Sequence, residues 1–478
     1  MNLPIVVDLD GTLTPTDTLV ESLLKYVRKS PLNLFKVVGF GRQERAVFKS
    51  HIADHATISG ELLPYNEQFL QYLKEEKAKG RRIVLATAAH RSIADAVSSH
   101  LDIFDDVLAT DGTHNLKGKE KLAAIRQNLG EQFVYAGNSR ADIPIWQECK
   151  HAILVGVPSQ VARSMRQQVD VEREFKWPAP DLTVLLKALR VHQWLKNLLL
   201  FVPLLTAINL SSFSRLWHVM VAFIAFSLAA SSTYIFNDLL DIENDRAHPR
   251  KCNRPFASGK LSILTGVVMS VALMVVAVML AFSLSPGFFF MLLLYVAMTV
   301  FYTLVLKEIV LIDVLMLSLL YTLRILAGSV ATPVTTSFWL MAFSVFIFFS
   351  LALVKRCAEL VTMDEKGKMG TYGRDYWVED LRVLWPLGVG SALAAVVMFG
   401  LFISAPETKI GYATPDMLWL VAIALIYWQA RLWVMTSRGQ MHHDPVIFAI
   451  TDRGSQIIVF IMIVMTIMAR FIPIKLIP

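Results

Sequence analysis

From about residue 197 to the C-terminus, apolar runs long enough to cross a bilayer follow one another, and no other feature limits the possible folds so severely. In hydrocarbon every backbone N–H and C=O must be paired inside the protein, so runs of this kind fold as helices packed on helices. Nine candidate spans are read, at about 197–211, 216–236, 262–284, 286–306, 309–331, 337–356, 384–405, 416–435 and 455–474. Up to about Pro180 the chain is different in character, with charges scattered as in a soluble globular domain. The average of 55% hydrophobic and 18% charged residues conceals these two unlike halves. Trp177-Pro178-Ala179-Pro180-Asp181 is a short, stiff linker, and the expected division is 1–178, a linker at 179–188, and 189–478.

Loop charges orient the spans. Arg246, Arg250, Lys251, Arg254 and Lys260 follow the second span, Lys355, Arg356, Lys366, Lys368, Arg374 and Arg382 surround the loop after the sixth, and Arg431, Arg438 and Arg453 flank the loop after the eighth. The alternate loops hold almost no cations apart from Lys409, so the basic loops are expected on the cytoplasmic side. The N-terminus has neither a basic leader nor a long apolar core, which leaves the first half expected in the cytoplasm, beside a multi-pass cell-membrane half. The net charge of +7 suits an anionic membrane surface or phosphate-rich substrates, and no nucleic-acid motif is present. Cys149, Cys252 and Cys357 are too few and too scattered for a disulfide framework or a zinc site.

The chemistry concentrates at the end of the second span, in Asn237-Asp238-Leu239-Leu240-Asp241-Ile242-Glu243-Asn244-Asp245. If the helix continues through it, Asp238, Asp241 and Asp245 stand at i, i+3 and i+7 and share one face. Carboxylates that close together repel unless a divalent cation lies between them. Mg²⁺ is the natural one, because it takes few protein oxygens and completes its shell with water and substrate phosphates. A second polar group, Tyr302, Lys307 and Asp313, falls where the fourth span gives way to the fifth, with Arg324 about three turns on. An Arg inside an apolar span is expected to face a polar cavity or a carboxylate, and Lys307 and Arg324 are placed to bind phosphate oxygens.

The soluble half opens with a β-branched run, Leu3 to Val7, leading into Asp8-Leu9-Asp10-Gly11-Thr12-Leu13-Thr14. Two carboxylates at i and i+2 past a strand point the same way, which suits a carboxylate nucleophile beside a carboxylic acid/base. Helical periodicity at Leu19, Leu23, Leu24 and Val27, then at Phe69, Leu70 and Leu73, predicts a helical cap over such a site.

These motifs resemble two families. Asp8 to Leu13 resembles DxDGTL of the haloacid dehalogenase (HAD) phosphatases, an α/β Rossmann-like fold. That resemblance implies three further motifs in order. Arg82 to Thr87 would be a strand ending in the Thr87 hydroxyl that meets the phosphoryl group, Lys121 the fixed cation, and Gly137 to Asp142 the metal motif GDxxxD. Asn138 stands where the first Asp of that motif is usual, leaving Asp8, Asp10, Asn138 and Asp142 as the implied Mg²⁺ ligands.

The second half resembles the UbiA superfamily of all-α membrane transferases through NDxxDxxxD at Asn237 to Asp245. QWxKN at Gln193 to Asn197, RPFASG at Arg254 to Gly259, LKxxxxxDV at Leu306 to Val314, LRxLAG at Leu323 to Gly328 and KRxAEL at Lys355 to Leu360 resemble its decaprenyl-phosphate phosphoribosyltransferase branch. His443-Asp444-Pro445 with Asp452-Arg453 is similar to that branch as well. The resemblance implies Mg²⁺-dependent transfer from phosphoribosyl diphosphate to a polyprenyl phosphate. Lys196, Asn237, Arg254, Lys307, Lys355 and Arg356 then join Tyr302, Asp313 and Arg324 as substrate-binding candidates, and the fused HAD half would dephosphorylate the lipid product. The alternative is a prenyltransferase moving a polyprenyl group from its diphosphate to an aromatic or other small acceptor. A transporter would need inverted repeats and mid-membrane helix breaks, which the sequence does not show.

Overall fold

The computed structural model describes residues 3–30, 51–52, 55–56, 58–111, 116–207, 213–367, 374–441 and 445–473. It divides into two compact units, one formed by Met1–Arg190 with Tyr234–Val271 and the other by Val191–Thr233 with Ala272–Pro478.

The first unit is built on a six-stranded parallel sheet of β1 (Ile5–Val7), β2 (Ile83–His90), β3 (Asp106–Thr110), β4 (Val134–Gly137), β5 (His151–Val155) and β6 (Val171–Phe175), in the order β3-β2-β1-β4-β5-β6. Strand alternation divides the core between two faces. Ile5 and Val7 pack with Phe69, Leu73 and Ile93, whereas Val6 packs with Phe133, Tyr135 and Trp146 on the other side. β1 is central, with β2 and β4 as its neighbours, so the order reverses at β1 and a crevice opens beyond its C-terminal end. Helices α1 (Thr18–Lys29), α2 (Glu67–Ala78), α3 (Arg91–Leu101) and α4 (Lys119–Leu129) follow these strands. α1 starts where the Asp17 side chain accepts from the Leu19 and Val20 N–H groups. Part of the expected cap, 31–50, lies outside the described residues.

The linker is anchored by its tryptophan, whose indole N–H donates to the Gly11 carbonyl at 3.0 Å. The same unit includes the C-terminal end of α5 (Phe213–Leu240), the short α6 (Ile242–Ala247) and the start of α7 (Ile263–Leu284).

The second unit is helical. Among the described residues, eight helices of the chain are long and apolar enough to cross a membrane. The expected span at 197–211 is instead a 3₁₀ segment, Val191–Phe201, with a short helix, Val202–Ala207, its remainder lying outside the described residues. On α7, Val268, Val271, Val275, Met279 and Phe282 are all exposed, an apolar stripe at helical spacing of the kind a lipid-facing helix presents. Gly328, in the LRxLAG motif, lets two backbones meet, since a Cβ there would lie 2.1 Å from the Leu200 carbonyl oxygen.

Candidate active sites

In the first unit the end of β1 delivers Asp8 into a cavity of about 470 Å³ also lined by Asp10, Lys121, Asn138 and Asp142. Asp8 Oδ1 accepts the Leu9 N–H at 2.9 Å and lies 2.8 Å from Lys121 Nζ, which α4 presents from its first turn. Lys121 Nζ also donates to the Tyr135 hydroxyl at 3.1 Å, and that hydroxyl donates to Asp142 Oδ1 at 2.8 Å. Asp142 Oδ2 accepts from the N–H groups of Asn138 and Ser139 and from Ser139 Oγ, at 3.2, 2.9 and 3.0 Å. Asp10 Oδ1 accepts the Thr18 N–H at 3.0 Å, tying the motif to the start of α1.

Burial pushes Asp8 up from the ordinary carboxylate value, against the pull of Lys121. Loss of hydration, with Asp17 adding, pushes Asp10 up to about 7. A carboxyl poised there can give and take a proton near neutrality. Asn138 stands beside the loop, with its Oδ1 accepting from Thr12 Oγ1 at 3.4 Å.

The structure thus brings together Asp8, Asp10, Lys121, Asn138 and Asp142. Thr87 departs from expectation. β2 runs on to His90 through a register shift after Ala86, and the buried Thr87 hydroxyl accepts the Ala89 N–H at 3.0 Å. Ala88, Ala89 and His90 line the cavity. Sequence reasoning missed Tyr135, the group that links Lys121 to Asp142.

The acidic stretch also departs from expectation, because the helix does not continue through it. α5 ends at Leu240, Asp241 takes φ −96° and ψ 11°, and α6 begins afresh at Ile242. Past this break Asp241 has a different partner from the other two carboxylates. Asp238 and Asp245, both buried, are bridged by Arg254 Nη1 at 3.0 and 2.6 Å, and Arg190 Nη2 also pairs with Asp238 Oδ1. Asp241 instead meets Arg28 of α1 at 3.1 Å. Asn237 contributes its carbonyl to the Asp241 N–H at 2.9 Å.

Among the described residues no three His, Cys, Asp or Glu side chains converge as a ready-made metal centre. Both clusters nevertheless offer hard oxygen donors, Asp8, Asp10 and Asp142 around the ammonium of Lys121 in one, and the buried Asp238 and Asp245 beside Arg254 and Arg190 in the other. This donor chemistry fits Mg²⁺, which needs few protein ligands. Arg190 carried no signal in the sequence beyond its place before QWxKN. Its left-handed conformation, φ 51°, and its stacking over Tyr234 at 5.1 Å are tertiary facts.

In the second unit Asp313 is fully buried and paired with Arg356 Nε at 2.7 Å, and it also accepts from the Tyr376 hydroxyl. Arg356 Nη1 pairs with Glu359, which Arg374 reaches at 3.2 Å, while Arg356 Nη2 is buried without a hydrogen-bond partner among the described residues. Tyr302 lies within electrostatic reach of this group. Lys307 sits in the 3₁₀ turn Leu306–Glu308, just before the helix that carries Asp313.

Arg324 does not join them, since three turns of helix carry it roughly 16 Å along the axis. Its guanidinium is taken up by neutral acceptors, Asn197 Oδ1 at 2.9 Å, the Leu320 carbonyl at 2.5 Å and the Tyr295 hydroxyl at 3.1 Å. Each of its three nitrogens thus has a partner inside the helix packing, and two of its five N–H groups are left over. Lys196, over the Tyr321 ring at 5.6 Å, and Lys355 line a narrow pocket with Tyr321 and Phe348. His443 and Asp444 lie outside the described residues.

Two family models match the chain, one in each half. Residues 198–449 match the model of the UbiA prenyltransferase family, and residues 5–147 match that of haloacid dehalogenase-like hydrolases. A protein of Sinorhizobium fredii, y4nM, is 36% identical over 462 residues, covering 95% of this chain and 88% of its own. Nodulation protein NoeC of Azorhizobium caulinodans is 38% identical, over 56% of this chain and 87% of its own. Decaprenyl-phosphate phosphoribosyltransferase of Mycobacterium tuberculosis is 33% identical, over 47% of this chain and 75% of its own. The chain belongs to the UbiA prenyltransferase family, as a multi-pass membrane enzyme fused to an N-terminal HAD phosphatase domain.

Proposed function

We propose that the membrane half transfers the phosphoribosyl group of phosphoribosyl diphosphate to a polyprenyl phosphate, and that the HAD domain then removes the 5-phosphate from the lipid product. The observation that carries this reading is the buried pair Asp238 and Asp245 faced by Arg254 and Arg190, carboxylates and guanidinium groups interleaved where a diphosphate can exchange partners with both. The relative from Mycobacterium tuberculosis, named for phosphoribosyl transfer to decaprenyl phosphate, supports the choice of donor and acceptor.

In the membrane half Asp238 and Asp245 would hold Mg²⁺, with Asp241 joining them on release from Arg28. In the HAD domain Asp8, Asn138 and Asp142 would hold it together with the main-chain carbonyl of Asp10, whose carboxyl stays free to carry a proton. Bound there, the ion offsets negative charge on phosphate oxygens. Arg254 and Arg190 bind the diphosphate and stabilise the charge it gains as the bond to ribose breaks. Lys196, Lys307, Lys355 and Arg356 are candidates for the 5-phosphate and the lipid phosphate, whose anionic oxygen attacks without a strong base.

In the HAD domain an Asp8 oxygen attacks the phosphorus, and the sugar 5-oxygen leaves with a proton from Asp10. Asp10 then takes a proton from the water that releases inorganic phosphate and regenerates the Asp8 carboxylate. Lys121 neutralises charge at Asp8 and on the phosphoryl oxygens throughout. Both centres are assigned to the cytoplasmic side.

The family model's own name favours prenyl transfer as the competing reading, and one assay decides between them. Membranes containing the protein are offered labelled phosphoribosyl diphosphate or labelled prenyl diphosphate with each acceptor. Label from phosphoribosyl diphosphate entering lipid is expected, and label entering only from prenyl diphosphate would overturn the proposal.

A further inference from the structure

Along one face of α1, Glu21, Lys25 and Arg28 stand at i, i+4 and i+7. They pair in reverse order with Arg246, Glu243 and Asp241, an antiparallel ladder in which every charge meets its opposite. The outer rungs, Lys25 to Glu243 at 2.7 Å and Arg28 to Asp241 at 3.1 Å, are partly exposed and contribute little by themselves. The inner rung is different, because the Glu21 and Arg246 side chains are each only 5% exposed.

The inner rung is also continuous at both ends. Thr16, at the close of the loop that carries Asp8 and Asp10, donates its hydroxyl to Glu21 Oε2 at 2.8 Å. Arg246 Nε donates to the Ala257 carbonyl at 3.1 Å, inside the turn that begins with Arg254. Gly259 closes that turn with φ 71°, and a Cβ there would lie 2.5 Å from the Pro15 ring. The turn that presents Arg254 to Asp238 and Asp245 is therefore closed by its own backbone hydrogen bonds, seated on the phosphatase loop and braced there by the buried Glu21–Arg246 pair.

We propose that Glu21, on the first helix of the HAD domain, is a positioning residue for the Arg254–Gly259 turn, so that diphosphate affinity in the membrane half depends on a side chain of the phosphatase. The ligand class rests on the donor-site reading given above, whereas the mechanical claim about the turn does not. A buried pair broken on one side leaves an uncompensated charge, so removing the Glu21 carboxylate frees Arg246 to abandon Ala257.

The test uses the full chain purified in detergent, as wild type, Glu21→Gln and Lys25→Met. Amide hydrogen exchange of residues 254–259 is followed without ligand, and binding of magnesium diphosphate by calorimetry. Hydrolysis of p-nitrophenyl phosphate is followed alongside. Glu21→Gln is expected to speed exchange in the turn and to weaken magnesium diphosphate binding about tenfold or more, as loss of a supporting partner does elsewhere. p-Nitrophenyl phosphate hydrolysis is expected to stay near wild type. Lys25→Met, which spares the inner rung, keeps the fold and should weaken binding by no more than about threefold. Unchanged exchange in the Glu21→Gln turn overturns the proposal. If Glu21→Gln does not fold, wild-type exchange and binding in Arg246→Lys, which keeps the charge but loses the fork, overturn it equally. Failure of the wild type to bind magnesium diphosphate while exchange still responds would refute the donor-site reading and the ligand half of this inference, but not the positioning of the turn.

Discussion

Lys121 Nζ lies 2.8 Å from Asp8 Oδ1, and both side chains are almost wholly buried. Lys121 also reaches Tyr135, which in turn holds Asp142, so a single ammonium group links the nucleophile candidate to the second acidic motif. Replacing Asp8 by Asn removes the nucleophile while keeping its shape. Phosphatase turnover is expected to fall by at least about 10³-fold, with phosphoribosylated lipid accumulating when the donor and acceptor are supplied. Lys121→Met leaves Asp8 and Asp142 buried without their cation and should destabilise the first unit by about 3–5 kcal/mol. Product analysis and thermal melts check the two outcomes, and a fully active Asp8→Asn protein would move the chemistry elsewhere.

Arg254 bridges Asp238 and Asp245, so removing it exposes their mutual repulsion. Arg254→Ala should lower stability without added metal by about 1–3 kcal/mol, and millimolar Mg²⁺ should restore much of the loss. Donor KM should nevertheless rise, because the same guanidinium binds diphosphate. Melting with and without Mg²⁺, set beside donor titrations, separates the two effects. A variant whose stability ignores Mg²⁺ would argue against metal binding by this pair.

The α/β order and the helical membrane half were legible because both follow from local patterns, β-branched runs ending in carboxylates and long apolar runs. The sites were legible only where neighbours in sequence stay neighbours in space. Asp8, Asp10 and Lys121 meet because parallel strands end together beside a helix start. Asp238, Asp241 and Asp245 read as one face only if the helix is unbroken, and the break at Asp241 leaves that side chain paired with Arg28, a partner far away in sequence. Arg324 looked functional because a lone Arg in an apolar run gives no hint of Asn197 and Tyr295. The same distance hid Tyr376 from Asp313 and Glu21 from Arg246.

Arg81 offers a pH-dependent contact remote from both sites. It pairs with Glu76 at 2.9 Å and with Glu172 at 2.6 Å, joining the end of α2 to β6. The Arg81 hydrogen bonds hold the Glu172 carboxyl below its ordinary value of 4.5. A carboxyl more acidic in the folded than in the unfolded chain stabilises fully above that ordinary value, and the contribution is lost as pH falls through the lowered folded value. Glu172→Gln should therefore cost about 1–3 kcal/mol near neutrality. Wild type and variant should converge as pH falls below the ordinary value of 4.5 and through the lowered folded one. Melting curves from pH 7 to pH 3 test this, and a gap that stays constant across the range would contradict it.

Arg324 supplies the contrast between a residue that binds substrate and one that builds the site's frame. Its three nitrogens donate one hydrogen bond each, to Asn197, the Leu320 carbonyl and Tyr295, and its Cζ lies 4.9 Å from the Tyr295 ring centre and 5.4 Å from that of Tyr321. Asn197 in turn donates to Ser227 at 3.0 Å, so the guanidinium fixes the 3₁₀ segment against two helices. Lysine cannot reproduce a planar fork with three separate directions. Arg324→Lys should thus lose nearly as much folded protein as Arg324→Ala, with thermal midpoints lowered in both. Whatever folds should keep the wild-type KM for the diphosphate donor, since no phosphate contact is lost. Arg356→Lys should lower the melting point too, since Nε and Nη1 hold Asp313 and Glu359. It should also raise KM for one phosphorylated substrate, because its buried Nη2 has no hydrogen-bond partner among the described residues. A large KM increase in Arg324→Lys with an unchanged melting point would restore the phosphate role to Arg324.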